Sequence, residues 1–101
     1  MKSYWENNTI NIGKVTENTT KKFYFQALED LPGIRNIIPA CGCSDYKFNR
    51  ETNRLHIIYT AGRLPYHLKE HGEQEIEKSF KIEYTGGGSD VLIFTGKKVK
   101  G

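Results

Sequence analysis

Ser79-Phe80-Lys81-Ile82-Glu83-Tyr84-Thr85-Gly86-Gly87-Gly88-Ser89-Asp90-Val91-Leu92-Ile93-Phe94-Thr95 is the stretch that decides the fold class. Before the glycines, Phe80, Ile82 and Tyr84 recur at every second position, and Ile76 extends the series upstream. After them, Val91, Ile93 and Thr95 alternate with Leu92 and Phe94. A period of two sends successive side chains to opposite faces of a strand. Three consecutive glycines supply the positive φ angles that a tight turn demands. The stretch therefore reads as two long strands joined by a hairpin.

The same period returns along the rest of the chain. Ile10 and Ile12 flank Asn11, and Phe23, Phe25 and Ala27 alternate with Tyr24 and Gln26. Leu31-Pro32-Gly33 breaks the chain, Ile34 to Ile38 forms a third strand stopped by Pro39, and Tyr46 with Phe48 marks a short fourth. Leu55, Ile57 and Tyr59 face one way, with His56, Ile58 and Thr60 on the other side. The only window with any helical character, Leu64 to Lys78, holds Pro65 and Gly72 and is strongly polar, so it reads as a long loop. Seven strands at this spacing, with no helix, predict an all-β, immunoglobulin-like (Ig-like) seven-stranded sandwich. Residues 1–8 read as an N-terminal arm and residues 9–101 as one domain.

A chain of 101 residues is one domain in size and holds one core. Its six Tyr, five Phe and one Trp suffice for a two-layer core but not for a deep substrate cavity. The net charge of +3 is mixed along the chain, and the only basic run is Lys97, Lys98 and Lys100. Backbone binders of nucleic acid usually neutralise on the order of six or more phosphates, so nucleic acid is not the expected partner. No apolar run approaches the roughly 20 residues of a membrane helix. The first eight residues are polar and unlike a leader peptide, which predicts a cytoplasmic protein or one carried in a particle.

Cys41-Gly42-Cys43 is the most distinctive local feature. Residues two apart on a strand share a face, with Cα atoms about 6.5–7 Å apart, at the long end of disulfide geometry. A bridge there needs a kink at Gly42. Together with His67 and His71, the two cysteines complete a tetrahedral zinc set on paper, but Cys-x-Cys departs from the usual zinc spacing. We read a structural turn and expect no metal or cofactor. Nucleophilic catalysis by either cysteine would need a base within hydrogen-bond reach, for which His56 and His67 are the candidates. The triple glycine precedes no helix and so is no phosphate loop, and Glu73, Glu75 and Glu77 form a solvated charge run. No catalytic residue is therefore expected.

Two segments stand out for binding. The connection from Ala61 to Glu75 is long for a compact domain, and long connections tend to be functional. It carries Arg63, Leu64, Tyr66 and His67, among them the aromatic and Arg types enriched at interfaces. The arm carries Tyr4 and Trp5, whose alternative role is to fold back over one end of the core. These six residues are the expected protein-binding set.

Ile12-Gly13-Lys14-Val15, Lys22-Phe23-Tyr24-Phe25, Pro39-Ala40-Cys41-Gly42-Cys43-Ser44 and Ile57-Ile58-Tyr59-Thr60-Ala61-Gly62 occur in that order. The series resembles a bacterial and phage Ig-like family of unknown function marked by a Cys-Gly-Cys turn, related to the ASH (hydin-like) and PapD-like sandwiches. The resemblance covers residues 9 to 98, and the Cys-Gly-Cys turn is its most specific part. The Ala61–Glu75 connection departs from it, being longer and more aromatic. The resemblance brings no catalytic residues. It implies a structural or binding role. With no leader, tether or enzyme motif in view, and an Asn-, Lys- and Ile-rich usage that suits an AT-rich phage genome, the leading expectation is an auxiliary or decoration capsid protein of a phage virion, present in many copies and bound to the major capsid protein or its neighbours. The alternatives are a bacterial adaptor of cytoplasm or periplasm, and a domain responsive to metal or redox state through Cys41 and Cys43.

Overall fold

A computed structural model describes residues 4–40, 42, 44–64 and 72–101. Seven strands follow one another: β1 (Thr9–Thr16), β2 (Thr20–Gln26), β3 (Ile34–Pro39), β4 (Ser44–Asn49), β5 (Arg54–Thr60), β6 (Glu73–Tyr84) and β7 (Ser89–Val99). They form a four-stranded sheet in the order β1-β7-β6-β3 and a three-stranded sheet in the order β2-β5-β4. The expected all-β, seven-stranded Ig-like sandwich is the architecture found.

The hairpin read first in the sequence is the spine of the larger sheet. β6 and β7 pair without a break from Glu73↔Val99 to Glu83↔Ser89. At the turn, φ is 97° at Gly87 and 83° at Gly88, so two of the three glycines occupy the left-handed region. β6 begins at Glu73, so the connection after β5 ends sooner than the sequence suggested. Glu73, Glu75 and Glu77 are the solvent-facing phase of that strand.

The core lies between the sheets. Phe25, Leu55, Ile57 and Tyr59 come from one side, and Phe80, Ile82, Tyr84, Leu92 and Phe94 from the other, all buried. Phe94 is the hub: Phe23, Tyr59 and Phe80 place their ring centroids 4.9, 5.4 and 6.2 Å from it. Edge-on and tilted rings set positive edges against negative faces, which stabilises beyond area burial alone.

β1 joins β7 in parallel, and its register slips between Asn11 and Lys14. The extra residue sits at Gly13, where φ is 75° and the N–H bonds back to Asn11 Oδ1 at 2.8 Å. This bulge resets the phase of the strand, so that both Ile12 and Val15 point inward and are buried. A residue with a Cβ at Gly96 would place that atom 2.6 Å from the Gly13 carbonyl oxygen. The bulge therefore requires glycine at position 96.

Candidate functional site

The arm residues expected at an interface are built into the fold instead. Trp5 is 2% exposed and forms an antiparallel bridge with Ala27. The Leu28 N–H donates to the Tyr4 carbonyl at 2.8 Å, and the Glu6 N–H donates to the Gln26 carbonyl at 2.9 Å. The indole N–H of Trp5 donates to Tyr84 Oη at 2.9 Å, and that hydroxyl donates to Asp90 Oδ2 at 2.6 Å. Burial, then the Asp90 carboxylate, push the Tyr84 hydroxyl well above its ordinary pKa of 10.0. Tyr4 is half-buried, its ring edge-on to Tyr84 at 5.5 Å. Trp5 thus belongs to the core and not to a surface: a large apolar ring gains most by burial once its one polar atom has a partner.

Leu64 needs the same correction. It is 1% exposed and serves packing, because an aliphatic side chain that reaches the core is more stable there than in water. Its neighbour Arg63 is exposed. Tyr66, His67 and His71 lie outside the described residues, as do Cys41 and Cys43; Gly42 between them is a turn residue. Among the described residues, no group of three or more His, Cys, Asp or Glu is arranged to hold a metal ion. No described helix is long and apolar enough to cross a membrane.

A different surface gathers binding chemistry. On the outer face of β2-β5-β4 the register aligns three rows: Lys22, Ile58 and Asp45; Tyr24, His56 and Lys47; Gln26, Arg54 and Asn49. Tyr24 is 43% exposed and Ile58 38% exposed. The Arg54 guanidinium lies over the Tyr24 ring at 4.6 Å, and its Nε–H donates to Gln26 Oε1 at 2.9 Å. His56 is tilted against the same ring, 5.8 Å away. A notch of about 270 Å³ opens between Lys22, Tyr24, His56 and Ile58, floored by Phe23 and Ile57. Tyr24 is thus held in place on a rigid sheet and still presents nearly half its surface. The signal was present in the sequence: Tyr24 and Ile58 fall on the polar phase of their strands, where a solvent-facing strand would carry polar side chains.

A larger groove, about 460 Å³, follows the β1 bulge on the other sheet. It is lined by Asn11, Lys14, Glu75, Glu77, Thr95 and Lys97, of mixed charge, and Lys97 pairs with Glu73 at 3.6 Å. It offers no exposed aromatic and no one sign of charge.

No protein-family model matches the chain, and no curated protein matches it in sequence. Solved structures do match in fold. The SrpA adhesin of Streptococcus sanguinis superposes with a TM-score of 0.58 at 13% identity, over 87% of this chain and 53% of the adhesin. Its R347E mutant gives 0.58 at 17% identity, over 87% and 51%. The extracellular cadherin domains 1–4 of protocadherin gamma B7 give 0.54 at 7% identity, over 95% of this chain and 24% of that one. The chain spans about half the length of the adhesin chains it matches. The fold is that of an Ig-like β-sandwich domain of the kind found in adhesins and cadherins.

Proposed function

We propose that this chain is a non-enzymatic Ig-like module that works by binding another protein. The observation that carries the reading is the exposed Tyr24–Ile58 surface on the outer face of β2-β5-β4. Tyr and Arg are the residue types that dominate interface energetics when a partner dries them. Lys22, Lys47 and Arg54 outnumber Asp45 on this face, so an apolar contact ringed by carboxylates is the complementary surface. The fold neighbours include adhesin and cadherin domains, which supports binding as the use of the scaffold.

The narrower reading we propose is an auxiliary or decoration protein of a phage virion, bound to the major capsid protein or its neighbours. The resemblance to the Cys-Gly-Cys Ig-like family and the Asn-, Lys- and Ile-rich usage of an AT-rich genome support it. Mass spectrometry of purified particles tests it: the chain is expected at many copies per virion, and its absence would sink the virion reading. Binding of wild type and Tyr24→Ala to the isolated major capsid protein tests the surface. The variant is expected to bind at least about tenfold more weakly, equal to roughly 1.4 kcal/mol; unchanged affinity would remove this face from the interface.

A further inference from the structure

Four strands border the two sheets, and three of their edges are broken or partly covered. β1 is broken by its bulge at Gly13. β3 slips register between Ile34 and Asn36 and ends in Pro39, and its Ile37 carbonyl already accepts the Tyr46 hydroxyl at 3.0 Å. β2 has its Gln26 end occupied by the arm. β4 carries no Pro, Gly or bulge, and its register with β5 runs unbroken from Ser44↔Tyr59 to Asn49↔Arg54.

The hydrogen-bonding phase of that edge follows from the ladder. Ala27 donates to the Asn53 carbonyl, and Ala61 donates to the Thr19 carbonyl. The odd-numbered residues of β2 and β5 therefore bond to each other across the Phe23↔Ile57 register. The even-numbered residues of β5 must then turn toward β4, where they meet Asp45, Lys47 and Asn49. That leaves the backbone N–H and C=O groups of Ser44, Tyr46 and Phe48 pointing off the sheet. Among the described residues no backbone hydrogen bond engages them.

We propose that β4 is a homodimer interface, pairing antiparallel with β4 of a second copy about a two-fold axis at Tyr46. Self-complementarity of the strand Ser44-Asp45-Tyr46-Lys47-Phe48-Asn49 is the argument. With Tyr46 opposite Tyr46 of the second copy, Ser44 stands opposite Phe48, and every off-sheet donor of these residues meets an acceptor. Asp45 then faces Lys47 across the axis twice, on the same outer face, as a non-hydrogen-bonded pair where side chains lie closest. Both residues are exposed in the single chain. Tyr46, 41% exposed although packed against Phe80 at 5.8 Å, gains a partner ring at the axis. The same operation on β2, whose off-sheet residues are Thr20, Lys22 and Tyr24, centres on Lys22 and sets it against its own copy. Charge thus favours β4 and disfavours β2.

Sedimentation equilibrium from about 1 µM to 1 mM tests the proposal, independently of any partner of the Tyr24 face. Wild type is expected to dimerise reversibly. Asp45→Lys alone and Lys47→Asp alone each turn two attractive pairs into two repulsive ones, and are expected to weaken the dimer at least about tenfold. The double exchange, Asp45→Lys with Lys47→Asp, restores both pairs and is expected to return the affinity to within about threefold. Amide exchange supplies a second readout: the Tyr46 N–H is expected to slow with rising concentration, while those of Lys22 and Tyr24 do not. A wild type that stays monomeric throughout, a dimer indifferent to the charge changes, or a Tyr46 amide that exchanges alike in monomer and dimer overturns the proposal.

Discussion

Removing one oxygen atom from the core should destabilise this domain more than most whole-side-chain deletions at its surface. Tyr84→Phe deletes the hydroxyl that links Trp5, on the arm, to Asp90, on β7. Two bonds disappear together. A hydrogen bond to a charged group contributes about 1.5–3 kcal/mol and a neutral one about 1 kcal/mol. Tyr84 is 3% exposed and Trp5 2%, so water cannot readily replace the lost partner without opening the arm. The expected loss is about 3 kcal/mol, or a fall in melting temperature of roughly 12 °C or more for a domain of this size. Urea unfolding followed by fluorescence of Trp5, the only tryptophan, reports the region directly. A loss below about 0.5 kcal/mol would refute the linkage. The same hydroxyl gives a pH signature. Its folded-state pKa is raised above 10.0, so the unfolded chain releases a proton near pH 10 that the folded chain retains. Stability is therefore full below pH 10 and falls as pH rises beyond it, by up to about 1.4 kcal/mol per pH unit. Tyr84→Phe should remove that contribution, leaving the smaller share of Tyr59, which burial also raises. Equal slopes in both proteins would contradict the assignment.

Gly96→Ala should cost about 1–3 kcal/mol, because its Cβ meets the Gly13 carbonyl at 2.6 Å and Ile12 Cγ1 at 2.8 Å. Gly13→Ala has open space around its Cβ and should cost only the left-handed backbone, about 1 kcal/mol; thermal melts of the pair separate crowding from conformation. Leu64→Ala should destabilise by about 2–4 kcal/mol, whereas Arg63→Ala, at an exposed position, should stay within about 0.5 kcal/mol, both read from urea midpoints.

The strands were legible because the period-two signal returns in every segment, strongly in β2, β5 and β6 and from only two residues each in β1 and β4. β6 returns an apolar residue to the inward phase at Ile76, Phe80, Ile82 and Tyr84, with Lys81 and Glu83 marking the outward phase between them, and β7, paired with it, adds Leu92 and Phe94. What was not legible consists of single events. Trp5 and Leu64 fall outside any alternating run, so no period assigns them a side, and only the packed structure shows that each is buried. The start of β6 at Glu73 was hidden because its first outward residues are all Glu, which reads equally well as a loop. The parallel pairing of β1 with β7 depends on a long-range match that local pattern does not encode. The Tyr24–Ile58 surface was half visible. Both residues violate alternation on their own strands, but their adjacency comes from the β2–β5 register, where Lys22 meets Ile58 and Tyr24 meets His56.

The Tyr24–Ile58 face and the β4 edge lie on one sheet, and this links them. In the proposed dimer the two-fold axis at Tyr46 would run perpendicular to the sheet, so both copies would keep their outer faces on the same side. The result is a six-stranded sheet in the order β2-β5-β4-β4-β5-β2. With strands about 4.8 Å apart, the two β5 strands stand roughly 14 Å from each other and the two β2 strands roughly 24 Å. Each Tyr24–Ile58 contact is then repeated at fixed spacing and orientation. A partner that presents its own site once gains nothing from this arrangement. One that presents it in a symmetric array engages both faces at once, and the second contact forms at high effective concentration. Two such contacts engaged together would hold to a repetitive assembly more firmly than one contact holds to a single subunit. On the proposed dimer and the proposed decorating role, tight binding to a lattice would depend on Asp45 and Lys47 as much as on Tyr24.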